Sequence, residues 1–376
     1  MTRTRINPKK FSMNNKISLR QLQALLILEI FGFGVTGLPR RVALAAGQDG
    51  WIAVVLAAGL VVLAVLIIAR LATRFSDRGF HEYACDILGK FLGTLLTFVF
   101  FVRLIIMAAL NLRIFGEIVR ETLLPTTPPA VVFLVMLAIA AYGASKGFEG
   151  RARVAEVLVL IALLPLILVF GISGRDMDFT NLLPMITASP AGMAIGVKHG
   201  FFAFSGVEVL LLVGPYLNRP KHLGKASAWA VGCVGIFMTI VTIATIARFG
   251  SDELARQLWP VLRMMDTLSM PGSIIDRQGA LIMTFWIISA FAIINAALFF
   301  SSLLLKDGME MMRLKISHTS YIIALIPVIA IIALLPRNLA QVYEWIDLVD
   351  HTLGLAFMAA VPIILLVVAK LRRRGD

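Results

Sequence analysis

Three ionisable residues, Glu29, Arg103 and Glu208, lie near the middle of long apolar stretches of the sequence. A charged side chain at the centre of a bilayer costs about 2.5 to 3.5 kcal/mol on insertion scales, so such residues usually face a protein interior or a water-filled cavity. Two interpretations follow. The three residues form an ion pair that only fixes helix packing, or they line a cavity and bind a charged group. The sequence leaves open which acid pairs with Arg103.

Glycine and proline interrupt two of the apolar stretches. The first reads FGFGVTGLP at 31–39, and the second reads FSGVE at 204–208, followed by Gly214 and Pro215. Glycine lowers helix stability by about 1 kcal/mol and proline by about 3 kcal/mol, so a continuous helix is disfavoured at both places. Unwound backbone at membrane depth is tolerated only where it faces protein or water. We therefore predict two broken helices beside a cavity; for the glycines alone, a close helix crossing is the alternative.

Such breaks offer complementary groups to a small zwitterion. The helix that starts after the first break would present free N–H groups to a carboxylate, and unwound carbonyls could accept an ammonium. An amino acid meets both requirements. The candidate ligand-binding residues are Gly32, Gly34, Thr36, Gly37, Phe204, Ser205, Gly206 and Glu208, and the candidate intramembrane charge network is Glu29, Arg103 and Glu208.

Motifs for enzymatic chemistry are missing from the sequence. It contains no GxSxG, HExxH or GKS/T motif, and its five histidines are scattered over loops and span ends. The two cysteines, Cys85 and Cys233, have no CxxC or Cys/His spacing of a zinc or redox site. We expect no enzymatic activity, no cofactor and no bound metal.

The elements that position these residues are membrane spans. The 376 residues are 59% hydrophobic and 15% charged, whereas soluble domains average about 45 to 50% apolar and about 25% charged residues. A span needs roughly 20 apolar residues. Ten stretches qualify, near residues 19–46, 51–71, 91–115, 129–145, 154–172, 194–216, 226–247, 279–305, 319–335 and 353–370.

The spacing of the breaks predicts an internal repeat. They fall in spans one and six, so the chain divides into a repeat of five spans at 19–172 and another at 194–370, preceded by a tail at 1–18. An odd number of spans makes the two halves run in opposite directions, which is the inverted repeat of many secondary transporters. We expect one transmembrane domain. Between spans, residues 252–270 have the apolar spacing of an amphipathic helix on the outer surface.

Most of the 35 Lys and Arg residues lie in the two tails and in alternate loops, so both termini are predicted to be cytoplasmic. A net charge of +13 suggests nucleic-acid binding at first, but the cations form no single stripe, so we expect none. A cleaved signal peptide is the alternative for the N-terminal stretch. Glu29 within that stretch and its length argue against cleavage.

Several motifs resemble the B subunits of endospore germinant receptors, membrane proteins of the amino acid/polyamine/organocation superfamily with a LeuT-like fold. These motifs are ISLRQ at 17–21, AGQDGW at 46–51, FHEYA at 80–84, ILGK at 87–90, KGFEGRARVAE at 146–156, NLLP at 181–184 and FSGVE at 204–208. The resemblance runs nearly from end to end.

This resemblance implies a subunit that senses a small nutrient germinant, an amino acid or another small molecule, in a transporter-like cavity. It also implies a complex with a larger A subunit and a lipid-anchored C subunit in the inner spore membrane. Two other functions stay open, namely an ion-coupled amino-acid permease and a scaffold that binds no ligand. Fold alone does not separate them.

Overall fold

The computed structural model describes residues 16–34, 37–173, 177–266, 278–310 and 317–373. Apart from one isolated bridge between Ile17 and Leu217, the regular structure in these ranges is helical. The α-helices in chain order are α1 (Leu19–Gly34), α2 (Leu38–Ala46), α3 (Gly50–Arg74), α4 (Phe80–Leu88), α5 (Lys90–Thr122), α6 (Pro129–Ser145), α7 (Gly147–Ser173), α8 (Pro190–Phe202), α9 (Leu223–Leu254), α10 (Pro260–Asp266), α11 (Gln278–Glu310), α12 (His318–Leu334), α13 (Leu339–Val349) and α14 (Val361–Leu371).

Several of these helices can cross a membrane. Five helical segments in the described residues are long and apolar enough to do so: Leu38–Arg74, Lys90–Thr122, Pro220–Leu254, Met283–Met309 and Leu339–Leu371. Helices α6 and α7 pass the same test as a pair bent by 117°, which raises the number to six if the pair is one span. Helices α1, α8 and α12 have only 16, 13 and 17 residues. The integral membrane class is confirmed, and the number of ten spans stays a prediction.

The predicted break in the first span is present. Helix α1 ends at Gly34 and α2 starts at Leu38 with Pro39 in its first turn, where a missing N–H costs nothing. Gly37 caps the start of α2 without a side-chain hydrogen bond. The stretch predicted as the first span therefore consists of two short helices, α1 and α2, on either side of the break.

The second interruption takes a different form from the first. Helix α8 ends at Phe202, and the chain continues through short 3₁₀ turns at Val207–Leu211, Gly214–Tyr216 and Pro220–His222. Gly206 has a φ of 109°, which side chains other than glycine rarely adopt. Gly206, Pro215 and Pro220 thus prevent an α-helix from continuing through this segment.

The interior is built around α1, which packs against α7, α9 and α11. Its residues Leu22, Leu26 and Ile30 are buried at helical spacing. Outer helices present large apolar side chains to the exterior instead, such as Leu63 of α3 with 59% of its surface exposed. In a membrane protein this exterior faces lipid, so the exposed apolar surface needs no protein partner.

The helices run between two ends of the molecule. The N-terminal face is the end at which α1 begins and α3 finishes, and the vestibule face is the end at which α2 finishes. At the vestibule face, Asp49 of the AGQDGW motif is buried between α2 and α3. Its carboxylate accepts backbone N–H groups of Ile186, Thr187 and Ala188 at 2.6 to 2.8 Å. This contact ties the loop before α8 to the first span.

Some boundaries differ from the sequence-based expectation. The region 252–270 is not one amphipathic helix in its described part, because α9 extends through a kink at Gly250 to Leu254 and α10 starts only at Pro260. Residues 267–270 lie outside the described residues. The last span begins at Leu339 rather than at residue 353, since α13 and α14 are joined by π-helical turns at Asp350–Gly354 and Ala356–Ala360.

Candidate functional site

A small cavity of about 50 Å³ lies at the break between α1 and α2. Its walls come from the break itself, from α5, from the end of α8 and from α13. The lining includes the predicted residues Gly34 and Gly37, together with Arg41, Asn111, His199, Phe202, Ala203, Tyr343 and Asp350. A buried water needs at least about 10 to 15 Å³ of accessible space, so the cavity has room for a few waters or a small polar group. We call it the break cavity.

Arg103 of α5 lies against the break cavity with only 1% of its surface exposed. Its Nη1 forms an ion pair with Oε1 of Glu208, and its Nη2 donates to Ser205 Oγ at 2.8 Å. The same Nη2 lies 3.7 Å from Oδ1 of Asp350. Ser205 Oγ also donates to Asp350 Oδ1 at 3.4 Å. One guanidinium therefore connects the segment after α8 with the continuous helical segment Leu339–Leu371, which we call the C-terminal helix.

The local backbone positions both acids of this network. Gly206 turns the chain after α8, and its N–H donates to Glu208 Oε2 at 2.9 Å. Asp350 begins a π-helical turn, a form that occurs frequently at functional sites. Gly354 lies one turn later, and a Cβ there would come within 3.1 Å of Asp350 Oδ1 and 3.5 Å of Arg103 Nη2. The absence of a side chain at residue 354 makes room for the network.

The network has an uneven charge. Glu208 and Asp350 are both at least 95% buried, and Arg103 is the one cation that contacts them within 4 Å among the described residues. Two ionised carboxylates and one guanidinium leave one uncompensated negative charge in a dry environment, which is unfavourable. A proton or a bound cation would compensate it. Asp350 is the acid that lines the break cavity.

The break cavity is also lined by groups that can donate hydrogen bonds, in contrast to the carboxylate of Asp350. Helix α2 starts at its wall, so the first backbone N–H groups of that helix and the positive end of its dipole lie there. His199 lines the same cavity, and its buried Nδ1 has no hydrogen-bond partner among the described residues. The cavity thus offers an anionic group on one side and hydrogen-bond donors on another.

A wider space of about 410 Å³ opens towards the vestibule face. We call this space the vestibule. The residues that line both the vestibule and the break cavity are Gly37, Arg41, His199 and Tyr343. Between the two spaces, Arg41 of α2 forms an ion pair with Asp347 of α13. The side chains of this pair are 22% and 37% exposed, so solvent reaches them. Arg41 lines both spaces, and Asp347 lines the vestibule.

The remaining predicted binding residues take several positions. Gly32 lies where α1 and α11 cross closely, because a Cβ there would clash with Ile293 Cδ1 of α11. Phe204 is fully buried, with its ring towards Gly235 of α9. Thr36 lies outside the described residues. The structure therefore brings Gly34 and Gly37 to the cavity wall and Ser205, Gly206 and Glu208 to the network beside it.

Glu29 is not part of the Arg103 network. It lines a separate cavity of about 190 Å³ between α1, α6, α7 and α11, together with Arg151 and Asn295. Arg151 donates through Nε to Asn295 Oδ1, and Asn295 Nδ2 donates to Ala140 O at 2.8 Å. Glu29 itself makes no hydrogen bond or ion pair with any described residue. The predicted network of three charges thus divides between two places.

Sequence reasoning missed Asp350, Asp347 and Tyr343. All three precede the predicted start of the last span at residue 353, so they were assigned to a loop. Their spacing of four and then three residues is that of one helix face, and this pattern could have extended the span. Arg151 falls between the predicted spans at 129–145 and 154–172, so the sequence gives no reason to place it in the interior, although 94% of its surface is buried.

The family model described as spore germination protein matches residues 16–342. The chain belongs to the spore germination protein family. Spore germination protein YndE of Bacillus subtilis (strain 168) is 30% identical over 367 residues, which cover 97% of this chain and 99% of the relative. Spore germination protein B2 of the same organism is 24% identical over 93% of both chains.

Transporters are similar as well. A putative arginine/ornithine antiporter of Escherichia coli (strain K12) is 25% identical over 305 residues, covering 72% of this chain and 63% of the antiporter. A solved structure of a Na⁺-coupled sialic acid symporter, in a substrate-bound outward-open state, matches with a TM-score of 0.63 at 14% identity, covering 91% of this chain and 77% of that chain. At this identity the likeness concerns the fold alone. This member of the spore germination family therefore has the LeuT-like transporter fold.

Proposed function

We propose that this chain is the B-type subunit of a spore germinant receptor and that it senses a small zwitterionic nutrient, an amino acid, in the break cavity. The observation that carries the proposal is that two buried carboxylates, Glu208 and Asp350, share the guanidinium of Arg103, and that Asp350 lines the break cavity. An ammonium group supplies the missing positive charge, and the start of α2 supplies N–H donors for the ligand's carboxylate. The subunit works with a larger A subunit and a lipoprotein C subunit in the inner spore membrane, with both of its termini in the cytoplasm.

Signalling in this proposal needs two states of the subunit. The network of Arg103, Glu208 and Asp350 connects α5, the turns after α8 and the C-terminal helix. A ligand that contacts Asp350 in one state and not in the other shifts the balance between the states by its differential affinity. The partner subunits respond to the state that the ligand favours.

The experiment replaces the gene in spores with variants and follows dipicolinate release after exposure to single amino acids and sugars. Asp350→Asn should raise the nutrient concentration for half-maximal release by at least about tenfold, because a hydrogen bond to a charged group contributes about 1.5 to 3 kcal/mol. Asp252→Asn is the matched control, since Asp252 is exposed at the vestibule face. Immunoblots confirm equal amounts of each protein in the membrane.

The outcomes separate the possibilities. Normal nutrient responses in Asp350→Asn spores would reject the assignment of the ligand site. Loss of the response to a non-nutrient germinant as well would indicate a general defect rather than a defect in sensing. If spores that lack the gene still respond to every nutrient, the proposed receptor function is rejected.

An ion-coupled amino-acid permease is the second candidate. The similarity to the arginine/ornithine antiporter and the fold of the sialic acid symporter favour it. It requires net flux, whereas sensing does not. Uptake of radiolabelled amino acids into proteoliposomes that contain the purified chain would support this function, and binding without uptake would support the sensor.

A further inference from the structure

A positively charged groove lies at the N-terminal face between α3 and α14. Its volume is about 630 Å³, and its cationic side chains are Arg70, Arg74, Lys221 and Lys370. Among the described residues that line it, none is acidic. Arg70, Lys221 and Lys370 are exposed and make no ion pair with a described residue. Leu66 and Leu366 form part of its apolar floor.

A second groove, apolar apart from Lys198 and His351, lies along the same two helices nearer the middle of the molecule. Its volume is about 570 Å³. Helix α3 contributes Leu60, Leu63 and Ile67, and the C-terminal helix contributes Leu355, Ala359 and Ile363. Leu60 and Leu63 are 48% and 59% exposed, and Leu355 and Ile363 are 49% and 44% exposed. These side chains face the surroundings of the molecule rather than its core.

The two grooves continue each other. On α3 the residues Leu60, Leu63, Ile67, Arg70 and Arg74 follow at steps of three or four and therefore share one helix face. On the C-terminal helix, Ile363 of the apolar groove is followed three residues later by Leu366 and then by Lys370 of the charged one. Both helices are thus apolar along the groove and cationic at the same end.

The length of this arrangement matches one leaflet of a bilayer. Leu60 and Arg70 are ten residues apart, which is about 15 Å along an α-helix. The hydrocarbon core of a bilayer is about 30 Å thick, so 15 Å is half of it. A molecule with an anionic head and apolar chains of this length is a phospholipid.

We propose that the groove between α3 and the C-terminal helix binds one anionic phospholipid, with its phosphate between Arg70, Lys221 and Lys370 and an acyl chain along Leu63 and Ile363. A free phosphate would use the charged groove alone and would leave the adjoining apolar groove without a function. Basic pockets between transmembrane helices are known to hold anionic head groups.

The test counts lipids that stay bound to the purified full-length chain by native mass spectrometry. Dioleoyl phosphatidylglycerol is the anionic probe and dioleoyl phosphatidylcholine the zwitterionic one. We expect retention of one phosphatidylglycerol and little phosphatidylcholine. The double variant Arg70→Gln/Lys370→Gln should weaken phosphatidylglycerol binding roughly 30-fold, because each cation near a membrane surface contributes to the attraction of anionic lipid.

A matched double variant, Arg256→Gln/Arg337→Gln, removes two exposed cations from the vestibule face and should keep the lipid. Ala359→Trp fills the apolar groove without changing any charge and should also release phosphatidylglycerol. Inorganic phosphate should not compete with the lipid. The four cations are exposed and Ala359 is half-buried, and size-exclusion profiles test whether each variant folds.

Each contrary outcome overturns the inference. Equal retention of the two lipids, or equal loss in both double variants, would mean that the groove does not select an anionic head. Displacement by inorganic phosphate together with full binding by Ala359→Trp would identify a phosphate site without a role for the acyl chain. None of these measurements depends on the nutrient ligand, so they test the lipid site separately from the proposed function.

Discussion

At the scale of single residues, Arg103 decides how two acids are held inside the molecule. Its guanidinium contacts Glu208 and Asp350, and all three side chains are at least 95% buried. Removing one member of a buried ionic group costs more than the group contributes, because the remaining charges lose their compensation. The stability of the fold and the charge of the break cavity therefore depend on the same side chain.

We predict that Arg103→Met lowers the free energy of unfolding by about 3 to 5 kcal/mol, because two buried carboxylates lose their cation. Thermal unfolding in detergent would measure this. Arg337→Met, at an exposed position, should have little effect. Adding Asp350→Asn to Arg103→Met should recover part of the loss. A double variant no more stable than Arg103→Met would contradict the ionic explanation.

Gly206 is a second residue whose identity is fixed by backbone geometry, since its φ is 109°. We predict that Gly206→Ala costs about 1 to 2 kcal/mol of stability, because L-residues other than glycine are strained there. Gly232→Ala is the matched control, as Gly232 lies in α9 with open space around its Cα, and alanine favours a helix. Equal melting temperatures of both variants would refute the prediction.

At the scale of elements, the break between α1 and α2 depends on close backbone contacts as well as on weak helix propensity. A Cβ on Gly34 would lie 2.1 Å from Met238 Cε and 2.7 Å from the backbone oxygen of Ala203. The end of α1 therefore approaches both α9 and the end of α8. Three elements meet at the wall of the break cavity, and a side chain at residue 34 would push them apart.

We predict that Gly34→Ala reduces both stability and the nutrient response of spores, whereas Gly37→Ala leaves stability nearly unchanged because no atom lies within 4 Å of a Cβ there. Melting temperature and dipicolinate release measure the two effects. The Ala203 oxygen belongs to the backbone and cannot move aside like the end of Met238. If Gly34→Ala behaves like Gly37→Ala in both assays, the close contact of Gly34 with Met238 and Ala203 matters neither for stability nor for the nutrient response.

At the scale of the whole molecule, the vestibule and the break cavity form a path that one ion pair interrupts. Arg41 of α2 and Asp347 of α13 connect the two halves of the predicted repeat across this path. Surface ion pairs contribute little to stability, about 0 to 1 kcal/mol, so the pair can open at low cost. Breaking the pair is therefore expected to change access to the cavity without a large effect on the fold.

We predict that Asp347→Asn increases access to the break cavity from the vestibule. The reporter is Asn111→Cys, which lines the break cavity but not the vestibule, in a chain whose Cys85 and Cys233 are replaced by serine. The measurement is the labelling rate with a small water-soluble thiol reagent. The rate should rise several-fold, because Arg41 loses its charged partner. Glu344→Gln, on the same helix but exposed, should not change it. Unchanged labelling in Asp347→Asn would argue against a gate.

The sequence by itself determined the membrane class, the family and the position of both helix breaks. Composition and glycine spacing predict the membrane class and the breaks, because helix propensity and the length of a span are local properties. The family followed from the resemblance of motifs such as KGFEGRARVAE at 146–156. The sequence also identified Arg103 and Glu208 as interior residues, since a charge inside an apolar stretch must avoid lipid. These inferences needed no knowledge of which helices are neighbours.

Only the tertiary structure decided how the charges combine. Arg103 contacts Glu208, 105 residues later in the chain, and Asp350, whereas Glu29 lies near Arg151 in another cavity. Sequence spacing gives the depth of a residue within its span but not the neighbour that its side chain faces. That neighbour depends on how each helix is rotated and packed, which is set by contacts such as those at Gly34 and Gly354.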